Sequence, residues 1–178
     1  MDRLQQEHDV TVTWRAYELR PRGAPPLPPE FRARIEAGRP RFAAMAREQY
    51  GLEVNPGPFG IDSRPALIGE QYAKERGLGE AYHRAVAEAY WQHAQRIDDP
   101  RVLAEIAAAV GIKREAFLAA LGSADLAAAV DADIAEARAN DMTGVPALVF
   151  DDRYLVMGAQ PYRVLEQVVE RCEAEAAG

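Results

Sequence analysis

Hydrophobic positions recur along this chain with two periods, and the change from one to the other divides it. After a short polar helical stretch, residues 2–8, the run Val10-Thr11-Val12-Thr13-Trp14 alternates apolar with polar side chains, the period-2 pattern of a half-buried strand. Near the other end, Ala147-Leu148-Val149-Phe150 forms a β-branched and aromatic run directly after Pro146. A two-residue Asp151-Asp152 turn, a second run at Tyr154-Leu155-Val156-Met157 and a helix started by Pro161 follow. That order predicts a β-hairpin docked by a C-terminal helix.

Between these ends the period is helical. The stretch from Arg20 to Pro29 contains five prolines, cannot pair in a sheet, and reads as an extended connector. Pro29 suits a helix first turn. Phe31, Ile35, Phe42 and Met45 then share one stripe, which Gly38 and Pro40 interrupt, so two helical pieces are expected. A Gly/Pro-rich loop spans residues 55–60. Beyond it Asp62 or Ser63 caps a helix carrying Leu67, Ile68 and Tyr72 that stops at Gly77, and another follows with Tyr82, Val86, Ala89 and Tyr90 on one face. Asp99-Pro100 is a cap and first-turn pair for the helix of Val102, Leu103, Ile106 and Val110, which Gly111 ends. Phe117, Leu118 and Leu121 mark a short helix. Ser123 caps the last of the series, where Leu126, Val130 and Ile134 recur every four residues.

Two phrases, Gly144-Val145-Pro146 and Gly158-Ala159-Gln160-Pro161, set in the strand-turn-strand-helix order, resemble the DsbA family of thiol-disulfide oxidoreductases, and within it the FrnE-like branch. The resemblance extends more loosely from about Asp2 to the C-terminus. It implies an α/β fold: a thioredoxin-like fold, N-terminally truncated, with an all-helical insertion subdomain. The division expected is 1–19 as the first thioredoxin-like part, 20–29 as the proline-rich linker, 30–140 as the helical insertion, and 141–178 as the hairpin and C-terminal helix. The family carries its chemistry on an N-terminal strand ending in Cys-x-x-Cys, a motif these residues do not contain. The expectation is therefore an oxidoreductase-family chain with no catalytic residue of its own. The alternatives are a non-catalytic thioredoxin-fold protein that binds a peptide or thiol, or a glutathione-dependent enzyme like 2-hydroxychromene-2-carboxylate isomerase, which uses a serine.

Composition narrows the partners. At 178 residues, 48% apolar and 28% charged, the chain can bury one good core. A formal net charge of -7 disfavours nucleic acid and anionic membrane, both of which need clustered cations, and leaves a small or peptidic partner, which the resemblance makes a peptide or small thiol substrate. A homo-oligomer stays open. No apolar run approaches the ~20 residues that span a bilayer, the opening residues are too polar for a signal peptide, and a single cysteine fits a reducing compartment; a cytoplasmic protein is expected.

The resemblance assigns substrate binding to Thr143, Gly144, Val145 and Pro146. It implies a cis bond before Pro146, which turns the Val145 backbone outward to pair with an extended substrate, while Thr143 and Gly144 shape the approach. Cys172 lies seven residues after Leu165 on the apolar side of the last helix, so a buried and inert thiol is expected. His8, His83 and His93 are scattered without metal-ligand spacing, and neither metal nor cofactor is expected. Trp14 and Trp91, with Tyr50, Tyr72, Tyr82 and Tyr90, are read as packing residues, and Asp62-Ser63 as a cap. In a thioredoxin fold the first strand lies between the second and the hairpin. The expectation is that a native product starts some tens of residues upstream, or that a partner strand fills the slot beside residues 10–14 and 147–150.

Overall fold

The computed structural model describes residues 1–21 and 23–176. In chain order its elements are α1 (Asp2–Glu7), α2 (Pro29–Tyr50), α3 (Arg64–Lys74), α4 (Gly79–Trp91), α5 (Pro100–Ala109), α6 (Arg114–Ala120), α7 (Ala124–Ala139), β1 (Ala147–Phe150), β2 (Tyr154–Met157) and α8 (Tyr162–Ala176). They separate into two compact units, Met1–Leu19 with Asp131–Gly178, and Arg20–Val130. The division falls inside α7.

The unit from Arg20 to Val130 is all helical. Side chains of α3 to α6 converge on Tyr82, Leu103 and Phe117, each without solvent exposure, and Ala73, Ala107 and Ile112 close the cluster. Tyr82 and Phe117 lie with ring centroids 5.5 Å apart, and Tyr72 meets Phe117 edge-on at 6.2 Å, arrangements that aromatic quadrupoles favour. Gly69 is required here by space: a Cβ would stand 2.5 Å from the Tyr82 hydroxyl and 2.6 Å from the Phe117 ring. Helix starts follow the sequence chemistry. Asp99 Oδ1 accepts from the Arg101 amide at 2.8 Å, and Asp62 Oδ1 from the Arg64 amide at 2.9 Å, so Asp62 rather than Ser63 supplies the side-chain bond before α3. One expectation fails. α2 runs unbroken through Gly38 and Pro40, because a proline costs the helix only one backbone bond and a clash with the preceding turn, which neighbouring turns can absorb.

The other unit is built around a hairpin. β1 and β2 pair antiparallel, with Ala147 opposite Met157, Leu148 opposite Val156, Val149 opposite Leu155 and Phe150 opposite Tyr154. Asp151 and Asp152 both adopt left-handed backbone (φ 51° and 52°), and the Arg153 amide donates to the Phe150 carbonyl at 3.0 Å. The turn expected at two residues therefore carries a third, Arg153, outside the ladder, which sets the register. Residues 10–14 keep the alternation of the sequence, with Val10, Val12 and Trp14 more buried than Thr11 and Thr13, yet they form no strand. Strand structure needs a ladder, and among the described residues the only sheet is the hairpin. The chain directly after them, Arg15 and Ala16, is tied to a helix instead. The buried Asp133 of α7 accepts from the Ala16 amide at 2.8 Å and from Arg15 Nη1 at 3.1 Å. Leu4 of α1 and Val169 of α8 complete a small core, and the phenol of Tyr162 donates to Glu7.

Candidate functional site

The candidate site is the loop between α7 and β1. Two bonds fix where it begins: the Met142 amide donates to the Ala137 carbonyl at 2.9 Å, and Asn140 Nδ2 to the Glu136 carbonyl at 2.9 Å, which end α7 with its last carbonyls satisfied. The Tyr17 hydroxyl donates to the Met142 carbonyl at 3.4 Å. Thr143, Val145 and Pro146 then emerge exposed, Gly144 half-buried. The Val145–Pro146 peptide bond is cis. A Cβ at Gly144 would meet nothing within 4 Å, so the chain itself leaves the space beside this residue open.

The second sequence phrase holds the first in place. Pro146 has no N–H to give, but its carbonyl accepts from the Gly158 amide at 2.8 Å, tying the head of β1 to the end of β2. Gly158 reaches that position with φ +79°, which a side chain would disfavour. Gln160 Nε2 donates to the Met157 carbonyl at 2.9 Å and closes the strand end before α8. At the other end of the hairpin, the Tyr154 hydroxyl donates to both Glu175 oxygens at 2.7 and 2.9 Å. Hydrogen bonds from Tyr154, then Arg171, hold the Glu175 carboxyl below the usual carboxylate range.

Alternation along β1 shows what this frame presents. The Pro146 carbonyl points to β2, so Leu148 and Phe150 pair inward, while Val145, Ala147 and Val149 turn their backbone N–H and C=O to the opposite edge. That edge has no neighbouring strand among the described residues, and no bond within them engages the Val145 backbone. Val145 is 55% exposed and Val149 48%. The site residues expected from the sequence thus lie together at the head of an open edge. Ala147 and Val149 continue it, and their period-2 spacing from Val145 was the signal that could have added them.

Elsewhere one expectation changes. Cys172 is half-buried on α8 rather than enclosed, because this unit's core is too shallow to cover that helix face. The histidines stand beside glutamates: His83 Nδ1 is 3.2 Å from Glu70, His93 Nε2 3.2 Å from Glu88, and His8 Nδ1 3.4 Å from Glu173. Among the described residues no three metal-ligating groups gather, and no helix is long and apolar enough to cross a membrane.

Comparison with known proteins adds the family frame. The DSBA-like thioredoxin domain matches residues 1–170. An uncharacterized Bacillus subtilis (strain 168) protein, YwbO, is 29% identical over 168 residues, covering 90% of this chain and 82% of its own length. A solved structure described as a probable DsbA oxidoreductase of Streptomyces coelicolor superposes with a TM-score of 0.71 at 30% identity. That match covers 80% of this chain, which spans 62% of the length of that protein. A 2-hydroxychromene-2-carboxylate isomerase superposes with a TM-score of 0.81 at 21% identity over 99% of this chain and 88% of the other.

Proposed function

Since this chain belongs to the DSBA-like thioredoxin domain family, with its thioredoxin-like α/β fold, we propose that it supplies the substrate-binding part of a thiol-disulfide oxidoreductase of the FrnE-like kind. An extended peptide or a small thiol compound lies along the edge headed by Val145. The observation that carries this reading is the backbone of Val145, exposed and unengaged at the head of an open strand edge. An extended segment laid there exchanges main-chain hydrogen bonds with Val145, and such bonds give affinity whatever the side chains are. Thr143 flanks the approach, and the open space beside Gly144 lets a ligand backbone come close.

The chemistry of exchange limits what these residues do. A thiolate must attack one sulfur of the disulfide, and a second thiol must then attack the mixed disulfide to release the reduced product. The sequence contains one cysteine, Cys172, so the two thiols of that reaction are not both among these 178 residues. What the chain itself does is bind and orient. The likeness to the isomerase, at its low identity, shows the fold alone, and a glutathione-dependent isomerisation is the rival reading. A cytoplasmic, reducing setting is part of the proposal, supported by the single cysteine.

Calorimetric titration with a cysteine-containing extended peptide and with glutathione tests it. Val145→Pro removes the N–H at the head of the edge and should weaken peptide binding about ten-fold or more, the effect of losing roughly one to two backbone bonds. Unchanged peptide affinity in this variant sinks the proposal. Binding of glutathione alone, insensitive to Val145→Pro, favours the isomerase reading. The 178-residue chain should show no dithiol-dependent disulfide reduction, and Cys172→Ser should change nothing; turnover that disappears with Cys172 would show that this thiol is the reacting group.

A further inference from the structure

The long helix α2 offers a surface that the other described residues leave largely exposed. Its 22 residues contain one buried residue, Ala46 near the C-terminal end. Along its length Phe31, Ile35, Gly38, Phe42 and Met45 are spaced by four, three, four and three, the 3.5-residue period of a coiled-coil seam. The last part of the seam is engaged on one side only: the Phe42 ring lies 5.9 Å from that of Trp91 and stays 42% exposed. The first turns are more open: Phe31 is 44% exposed, Ile35 half-buried, and a Cβ on Gly38 would meet nothing within 4 Å. Gly38 therefore leaves a hole in mid-seam between Ile35 and Phe42, of the kind that receives a bulky side chain from a facing helix.

Charge identifies the occupant. In this register Arg32 and Arg39 border the seam on one side and Arg34 and Arg41 on the other, and none of the four forms an ion pair among the described residues. The chain as a whole carries -7, so this cationic border stands out from its setting. The opposite face holds Glu30, Ala33, Glu36, Ala37 and Ala44 with one cation, Arg47, which pairs with Glu53 at 2.7 Å, whereas a helix lying on an anionic membrane carries its cations there. A second α2 fits poorly. Packed antiparallel about the seam's centre it sets Arg39 and Arg41 against their own copies, and packed parallel it sets Arg34 against Arg39. We propose that the face of α2 bearing Phe31, Ile35, Gly38 and Phe42 docks an amphipathic helix of a partner protein, with a large apolar side chain seated over Gly38 and glutamates or aspartates opposite the four arginines. This surface is independent of the edge headed by Val145.

The test uses the full 178-residue chain and two labelled synthetic peptides of three heptads, both with Leu at the seam. One carries Glu and the other Lys at the flanking positions, and binding is followed by fluorescence anisotropy. The Glu peptide should bind at least about ten-fold more tightly than the Lys peptide, with the preference shrinking as salt rises. Ile35→Asp should abolish binding, and Gly38→Leu, which keeps the helix but fills the hole, should weaken it about ten-fold. Changing all four arginines to glutamate should reverse the preference toward the Lys peptide, a result that misfolding cannot mimic. Equal binding of the two peptides, or a preference unmoved by the charge reversal, overturns the proposal. So would tighter association with vesicles of anionic phosphatidylglycerol than with the Glu peptide, or a dimer in sedimentation that Ile35→Asp dissolves.

Discussion

The two units bury their apolar surface to very different depths. In the unit from Arg20 to Val130, Tyr82, Leu103 and Phe117 are fully enclosed, and four helices share one cluster. In the unit containing the hairpin, Leu4, Ala16 and Val169 are the enclosed apolar residues outside α7, while Val145, Val149 and Leu155 each stay more than two-fifths exposed. The difference is one of element type. Each helix satisfies its own backbone, so α3 to α6 need only bring stripes together, whereas a two-stranded ribbon leaves half its edge groups unpaired and is marginal alone. The deep unit thus carries little backbone free to pair, and the shallow unit carries the open edge on which the proposed binding would rest.

The largest effect expected is on the deep core. Phe117→Ala should cost about 3–5 kcal/mol, because Gly69, Tyr72 and Tyr82 surround the ring and cannot all collapse into its space. One tryptophan lies in each unit, Trp14 in one and Trp91 in the other, so denaturation of Trp14→Phe and Trp91→Phe backgrounds follows them separately. The loss should appear in the Trp91 signal. An equal shift of both signals would mean that the units unfold as one and do not differ in stability.

Next in size is the anchor of the extended segment. Asp133→Ala leaves the buried Ala16 amide without its acceptor and Arg15 with only its longer contact to Glu136, which should cost about 1–3 kcal/mol, read through Trp14. No change there would show that residues 10–16 are held by something other than Asp133. Tyr82→Phe should be neutral or slightly stabilising. Its hydroxyl is buried without a partner among the described residues, and burial, with the charge of Glu70, raises its pKa well above the ordinary phenol value. A clear loss of stability in thermal denaturation would reveal a hydrogen bond to that hydroxyl.

The smallest effect lies at the surface of the shallow unit. Hydrogen bonds from Arg3, then Tyr162, hold the Glu7 carboxyl below its usual range, and the bond to Glu7 pushes the Tyr162 phenol up to about 12. For Glu7 the folded pKa is depressed, so its contribution is complete above the unfolded value and lost as pH falls through the lower folded one. For Tyr162 the folded pKa is raised, so the contribution is present below the ordinary value near ~10 and lost as pH rises through about 12. Both groups lie at the surface, Tyr162 half-buried against Arg3 and Glu7, so only the titration itself is expected to be measurable. In an absorbance titration of the tyrosines, Glu7→Ala should bring one phenol down toward ~10. A titration curve that does not move would remove the Tyr162–Glu7 bond from this account.

Much of this molecule is local and could be read without coordinates. Asp99-Pro100 caps α5 by its own side chain, Gly111 ends that helix with positive φ, and Leu126, Val130 and Ile134 are buried where a four-residue recurrence puts them. The hairpin and the phrases around Pro146 and Gly158 were likewise visible, because turn and cap chemistry acts within a few residues. Tertiary structure decided what depends on distant groups. Alternation at residues 10–14 makes a segment ready to pair but cannot supply the strand beside it, so these residues stay outside any ladder, and the chain directly after them, Arg15 and Ala16, is bonded to Asp133, more than a hundred positions away. Pro40 reads as a break, yet the turns on either side carry α2 across it. Cys172 has the spacing of a core residue and remains half-buried, because burial is fixed by what packs against a helix face and not by the face alone.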